Sequence, residues 1–154
     1  MKIKRKMRSR AGMTLAELLA AVAVLGVLGA GLTAGVPAAA RVYHEATADA
    51  EASVLFSTLS AAVGDELRYA RSPKADGSFD SAVYGKGVSV EADGDGHLTV
   101  GGEPLLGSRT YTGNLQADIS VSYEDGLFTV NLSVKEDGRV RKEQELVIRP
   151  VNEE

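Results

Sequence analysis

Few residues in this chain are suited to chemistry, and they form no catalytic pattern. His44 and His97 are the only histidines, and neither has a partner at the spacing of metal ligands. Cysteine is absent, which excludes disulfides, thiolate metal sites and thiol nucleophiles. No segment resembles the nucleophile elbow of a hydrolase. The sequence therefore predicts a protein that is not an enzyme, needs no cofactor and holds no catalytic metal.

A second candidate for chemistry is the acidic segment that contains Glu91, Asp93 and Asp95. Calcium is bound by clustered carboxylates, commonly with a glycine at the turn of the loop. An EF-hand loop also needs a glutamate near its end, and Glu103 is not at that spacing. Turn formation alone explains the aspartate–glycine pairs of this segment. We therefore expect a turn, with calcium binding at Asp93 and Asp95 as the open alternative.

Glu17 is the one charged residue in the run from Gly12 to Ala40. Within that run, Met13 to Thr33 is long and apolar enough to cross a bilayer as a helix, which takes about 20 residues. A carboxylate at the centre of such a helix costs roughly 2.5–3.5 kcal/mol, and less near its end. An acid in this position indicates a function. A positive charge from another molecule, such as a new chain terminus, would neutralise it.

The chain begins with a cationic segment that contains no acid, and a flank of this kind stays on the cytoplasmic side of a membrane. Its cations are Lys2, Lys4, Arg5, Lys6, Arg8 and Arg10. Without these six residues, 11 Lys and Arg face 21 Asp and Glu, a net charge of about −10. Nucleic-acid binding gains affinity from Lys and Arg, so we expect no direct nucleic-acid binding. The expected topology is a single pass, with the N-terminus inside and the rest outside.

The residues around Glu17 carry a resemblance to a known family. The segment Gly12-Met13-Thr14-Leu15-Ala16-Glu17-Leu18-Leu19, behind its short basic leader, resembles the processing motif of type IV prepilins and of the pseudopilins of type II secretion and competence systems. Two positions depart from the family pattern. Met13 stands where phenylalanine is usual, and Ala16 stands where a larger aliphatic residue is common. Both are apolar, so helix packing is preserved.

This resemblance implies a processing pathway and a set of partners. It implies cleavage between Gly12 and Met13 by a prepilin peptidase, followed by N-methylation of Met13. It also implies that Glu17 acts in assembly, by pairing with the terminal amine of a neighbouring subunit. The implied partners are the peptidase, other pilin or pseudopilin subunits, an inner-membrane assembly platform and the lipid bilayer.

The apolar run continues into an amphipathic helix that should end near Arg71 or Ser72, because Pro73 disfavours helical geometry before it. Pro37 and the glycines of the first half predict a kink in the helix. Apolar residues recur at helical spacing in the second half: Val42, Ala46, Ala50, Val54, Leu55, Leu59, Ala62, Val63 and Leu67. The predicted organisation is a leader (1–12), a transmembrane or filament-core helix (13–40), its amphipathic continuation (41–72) and an antiparallel β domain (73–154).

Turn signals divide the rest of the chain into short strands. Pro73 to Ser81 is predicted as a polar linker, and Val88–Glu91, His97–Val100 and Arg109–Thr112 are predicted as short strands. The strongest signal is a pair of alternating apolar segments, 119–123 and 128–134, on either side of Asp125-Gly126. Asp137-Gly138 repeats the turn before a strand at 140–148, with Leu146 and Ile148 facing in. The predicted fold is α+β, pilin-like, with the amphipathic half-helix covering an antiparallel sheet.

The sequence thus predicts a structural filament subunit, a pilin or pseudopilin, that starts in the cytoplasmic membrane and ends at the cell surface. The alternative is an extracytoplasmic binding domain behind an ordinary signal peptide, cut after Ala38-Ala39-Ala40, or behind an uncut single-pass anchor. The apolar run is longer than the 7–15 residues of a usual signal peptide, which disfavours this alternative.

Overall fold

A computed structural model describes residues 13–152. Its elements are a long helix, α1 (Leu15–Arg68), the strands β1 (Phe79–Ser81), β2 (Gly85–Val88), β3 (Val90–Ala92), β4 (Leu98–Val100) and β5 (Glu103–Pro104), a 3₁₀ helix (Ser108–Thr110), and the strands β6 (Leu115–Glu124), β7 (Leu127–Glu136) and β8 (Arg139–Ile148). The predicted α+β class is confirmed. The chain divides into two compact units between His44 and Glu45, and α1 contributes to both.

The first unit is the apolar part of α1. Its large side chains are exposed throughout, with Leu15 at 79% and Val27 at 74%. Among the described residues, α1 is the helix that is long and apolar enough to cross a membrane. It continues through Pro37 without a break in helical assignment. The predicted kink at Pro37 stays a prediction.

The second unit contains three antiparallel sheets, with strand orders β1-β2, β3-β4-β5 and β6-β7-β8. In the β6-β7-β8 sheet, successive strands are joined by tight turns at the two Asp-Gly pairs. Asp125 and Gly126 have φ values of 52° and 78°, and Asp137 and Gly138 have 49° and 80°. Positive φ at both central residues is the geometry of a type I′ turn, whose twist matches that of the flanking strands. The predicted β6-β7-β8 meander is therefore confirmed.

One face of this meander and one stripe of α1 form most of the core of the second unit, and residues of β1 to β4 complete it. The helical residues of the core recur at intervals of three or four: Ala52, Leu55, Phe56, Leu59, Val63 and Leu67. The central strand β7 supplies every second residue: Phe128, Val130, Leu132 and Val134. Leu146 and Ile148 of β8 pack against this core, as predicted. The sheet needs the helix because a three-stranded sheet must bury its apolar face.

The buried stripe of α1 differs from the predicted one. Val42, Ala46 and Ala50 of the predicted stripe are exposed, and Ala52 is the first buried helical position. Val54 is 68% exposed, because it lies one position before the buried Leu55 and thus about 100° away around the helix. The prediction missed Phe56, which is buried on the same face as Ala52 and Leu59.

The segment after the helix also departs from the prediction. The helix ends at Arg68, and Arg71 already pairs with Asp80 in an isolated antiparallel bridge. The predicted polar linker from Pro73 to Ser81 therefore contains strand β1, and Phe79 is fully buried in the core. Its ring contacts Phe128 edge-on, with centroids 6.1 Å apart.

The predicted strand at Arg109–Thr112 was wrong, because part of that segment forms a 3₁₀ helix. The N–H groups of Thr110 and Tyr111 donate to the carbonyls of Gly107 and Ser108, at 2.9 and 3.2 Å. These local bonds replace the ladder that a strand would need.

Two arginines of β8 form ion pairs with acidic residues of α1. The Arg141 guanidinium donates to Glu136 at 2.6 Å and to Asp49 of the helix at 3.1 Å, and its side chain is only 13% exposed. Arg139 lies 4.0 Å from Glu45. The Glu136 carboxylate is the main cause of a raised pKa at Arg141. We call this group of residues the arginine clasp.

Candidate functional site at the start of the helix

The start of α1 is organised by Thr14 and Glu17. The Thr14 N–H donates to Glu17 Oε2 at 2.8 Å, and the Thr14 hydroxyl donates to the same oxygen at 3.1 Å. The Glu17 N–H is 3.3 Å from Thr14 Oγ1, which accepts its hydrogen bond. This reciprocal pair is a capping box, with Thr14 at the N-cap and Glu17 at the third helical position.

The capping box gives the carboxylate of Glu17 a definite environment. The first turn of a helix presents unpaired N–H groups, and the helix dipole favours negative charge there. The Leu18 N–H donates to the Thr14 carbonyl at 3.1 Å, so the helical ladder starts at Thr14. Glu17 is thus held by its own chain at the end of an otherwise uncharged apolar stretch.

The sequence analysis placed Thr14 and Glu17 in the processing motif but did not predict that Thr14 caps the helix. A threonine followed three residues later by a glutamate, just before an apolar run, is the sequence signature of a capping box. The signal was therefore present at 14–17, but the interpretation of Glu17 considered only partners in other molecules.

Of the other predicted site residues, Met13 and Pro37 do not take part in the capping box. Met13 precedes the helix and is 68% exposed. Gly12 and the rest of the leader lie outside the described residues. Pro37 lies in the first unit, within α1.

The acidic segment is a hydrogen-bonded turn. Asp93 Oδ1 accepts from the N–H groups of Asp95 and His97, at 2.9 and 2.8 Å. The bond from His97 is the largest cause of a lowered pKa at Asp93. No group of three or more His, Cys, Asp or Glu residues within 13–152 is arranged to hold a metal ion. These hydrogen bonds are those of a turn, and calcium binding at Asp93 and Asp95 stays the alternative prediction.

An open cleft of about 430 Å³ lies beside this turn. The rings of His97 and Tyr111 lie 4.3 Å apart, and Tyr111 Oη accepts from the Leu98 N–H at 2.8 Å. The described residues that line the cleft include no serine, threonine, cysteine or lysine. His44, by contrast, lies on α1, with its ring centroid 6.2 Å from that of Tyr43.

Comparison with known protein families gives a match at the N-terminus. Residues 7–33 match the family model described as the prokaryotic N-terminal methylation motif. No curated protein and no solved structure matches the chain significantly. The matched region contains Thr14 and Glu17, which form the capping box, and Met13, which precedes the helix. The N-terminal segment of this chain is therefore a prokaryotic N-terminal methylation motif, the cleavage signal of type IV pilin-like prepilins.

Proposed function

We propose that this protein is a structural subunit, a pilin or pseudopilin, of a type IV pilus or of a type II secretion or competence filament. It is made as a single-pass precursor in the cytoplasmic membrane, with the leader inside and the β domain outside. A prepilin peptidase cleaves after Gly12, and Met13 is then methylated. The mature chain is passed to an assembly platform and packed against other subunits. It is not an enzyme and does not bind nucleic acid directly.

The observation that carries this proposal is the exposed apolar helix with Glu17 at its start. In the isolated chain, none of the apolar window of α1 is buried. Apolar surface gains about 25 cal/mol per Å² when it leaves water, so this helix needs either lipid or other apolar helices around it. A membrane precursor that later joins a filament has both environments in turn.

The glycines of the apolar stretch support packing against other helices. A Cβ atom added at any of four of them would meet nothing within 4 Å: Gly26, Gly29, Gly31 and Gly35. No contact within the described chain therefore requires a glycine at these positions. Each costs about 1 kcal/mol of helix stability relative to alanine. Small residues let helices approach each other closely in an apolar environment. The packing gained there offsets the loss of helix stability at each glycine.

Mass spectrometry of the cell-associated protein separates this function from its alternatives. The proposal expects a chain that starts at N-methylated Met13. A chain that starts at Arg41 would indicate an ordinary secreted domain, and an intact leader would indicate an uncut anchor. Cleavage before Arg41 would fall inside α1, which is helical through Ala38–Ala40.

The role of Glu17 is tested by Glu17→Gln. Glutamine retains the capping-box position but carries no charge. We expect normal insertion and cleavage, with incorporation into filaments reduced at least tenfold. The reason is that an unpaired ammonium left in an apolar core costs several kcal/mol. Incorporation is measured by quantifying the subunit in sheared filaments.

The matched control is Glu45→Gln, an acid on the same helix beyond the apolar run, whose ion pair among the described residues, with Arg139, is 4.0 Å long. It should assemble like the wild type. If the Glu17→Gln variant were incorporated into filaments as efficiently as the wild type, Glu17 would not act in assembly through an ion pair.

A further inference from the structure

The position at which α1 starts is set by a competition for one hydrogen-bond donor. In an α-helix each N–H donates to the carbonyl four residues earlier. If α1 extended toward the N-terminus, the Glu17 N–H would donate to the Met13 carbonyl. In the structure it instead points to Thr14 Oγ1, at 3.3 Å. The threonine hydroxyl therefore occupies the donor that a longer helix would use.

The same hydroxyl and the Thr14 N–H also hold the Glu17 carboxylate, at 3.1 and 2.8 Å. Threonine is a good N-cap residue, whereas alanine and valine are poor ones. Replacing the cap lowers the preference for this helix start by about fivefold. Methionine is a good helix former, so Met13 itself does not oppose extension of the helix.

We propose that Thr14 is a positioning residue for cleavage of the precursor. Its capping box starts the helix at Leu15 and keeps Met13, on the carboxyl side of the bond to be cut, outside the helix. This inference rests on the proposed processing after Gly12. In that hydrolysis water adds to the Gly12 carbonyl carbon and the bond to the Met13 nitrogen breaks. The glycine leaves as a carboxylate, and the nitrogen takes a proton to become the new terminal amine.

A peptidase needs access to this backbone, and proteolysis is concentrated in exposed, non-helical segments. A helix that included Met13 would tie its carbonyl into the ladder and turn it along the helix axis. The capping box therefore acts before cleavage, and the charge of Glu17 acts after it. Because glutamine also serves at the third position of a capping box, the two uses of this residue can be separated.

The test measures initial cleavage rates of the full-length precursor in proteoliposomes that contain a prepilin peptidase. The variants are Thr14→Val, Thr14→Ala, Thr14→Ser and Thr14→Asn. Valine has nearly the shape of threonine but cannot cap, whereas asparagine has a different shape and caps well. Because the capped start is one of two competing helix starts, we expect kcat/KM to fall measurably, by less than about fivefold, for valine and alanine and to stay at the wild-type value for serine and asparagine.

A second readout reports the helix start itself. The ¹³Cα chemical shift of Met13 in the uncleaved, lipid-embedded precursor should move toward helical values in Thr14→Val and not in Thr14→Asn. Cleavage of Thr14→Val at the wild-type rate would overturn the inference. So would an asparagine variant as slow as the valine variant, because the peptidase would then be reading the shape of threonine. Failure of the wild-type precursor to be cleaved would overturn the proposed processing itself.

Discussion

The carboxylate of Glu17 has two oxygens, and the structure uses them unequally. Both hydrogen bonds from Thr14 go to Oε2. Among the described residues, none donates to Oε1. A carboxylate accepts up to about four hydrogen bonds, so capping the helix leaves room for a second donor. The residue can therefore hold its own helix start and still accept a hydrogen bond from the ammonium group that the proposed assembly would bring.

Gly96 is a second residue with a well-defined structural role. It adopts a φ of +78°, and an added Cβ would lie 2.5 Å from Gln116 Cβ. We expect Gly96→Ala to lower the free energy of unfolding by about 2–4 kcal/mol, through left-handed strain and steric overlap. Urea unfolding of the full chain in detergent micelles, followed by tyrosine fluorescence, measures the change.

The control for Gly96 is two residues away in the same turn. A Cβ added at Gly94 would meet nothing within 4 Å, so Gly94→Ala should change the free energy of unfolding by no more than about 0.5 kcal/mol. Equal effects of the two substitutions would show that close approach to Gln116 does not constrain this turn.

At the scale of the element, the second half of α1 has a buried face and an exposed face. Leu59 is fully buried and Val54 is 68% exposed, although both belong to the predicted apolar stripe. Leu59→Ala should destabilise the second unit by about 2–5 kcal/mol, because it leaves a cavity between helix and sheet. Val54→Ala should cost no more than about 0.5 kcal/mol. The same urea titration measures both changes. A larger loss of stability for Val54→Ala than for Leu59→Ala would mean that the face of α1 that carries Val54 packs against the sheet.

At the scale of the whole molecule, the two units differ in what they need from their surroundings. Every residue of the described core lies between Ala52 and Val134, within the second unit. A fragment of residues 45–154 should therefore be soluble without detergent and unfold cooperatively in urea. A chain of residues 13–154 should require detergent or lipid. Analytical ultracentrifugation and circular dichroism measure both properties.

A shorter fragment, residues 70–154, tests whether the sheet depends on the helix. It lacks Leu55, Leu59, Val63 and Leu67, so the apolar face of β7 is left uncovered. We expect it to show no cooperative transition. A cooperative transition in this fragment would mean that the sheet does not depend on α1.

The sequence was most predictive where the signal is local. The Asp125-Gly126 and Asp137-Gly138 turns, the alternating strands beside them and the apolar run of α1 can each be read from a short window. The wrong predictions concern segments whose structure depends on contacts with residues that are distant in the sequence. Tyr111 is held by the backbone of Leu98, and Phe79 is buried within an otherwise polar stretch. The capping role of Thr14 is the exception, because the sequence signal for it is local and yet only a partner in another molecule was predicted for Glu17.

If the chain is built into a filament, as proposed, the arginine clasp has a mechanical consequence. A pull transmitted along α1 enters the second unit at Glu45, where Arg139 lies 4.0 Å away, and next meets Asp49, bonded to Arg141 at 3.1 Å. These contacts join the helix to the β7–β8 hairpin and are the first to be strained. Because ion pairs near a surface are screened by salt, the rupture force of the subunit should fall as ionic strength rises.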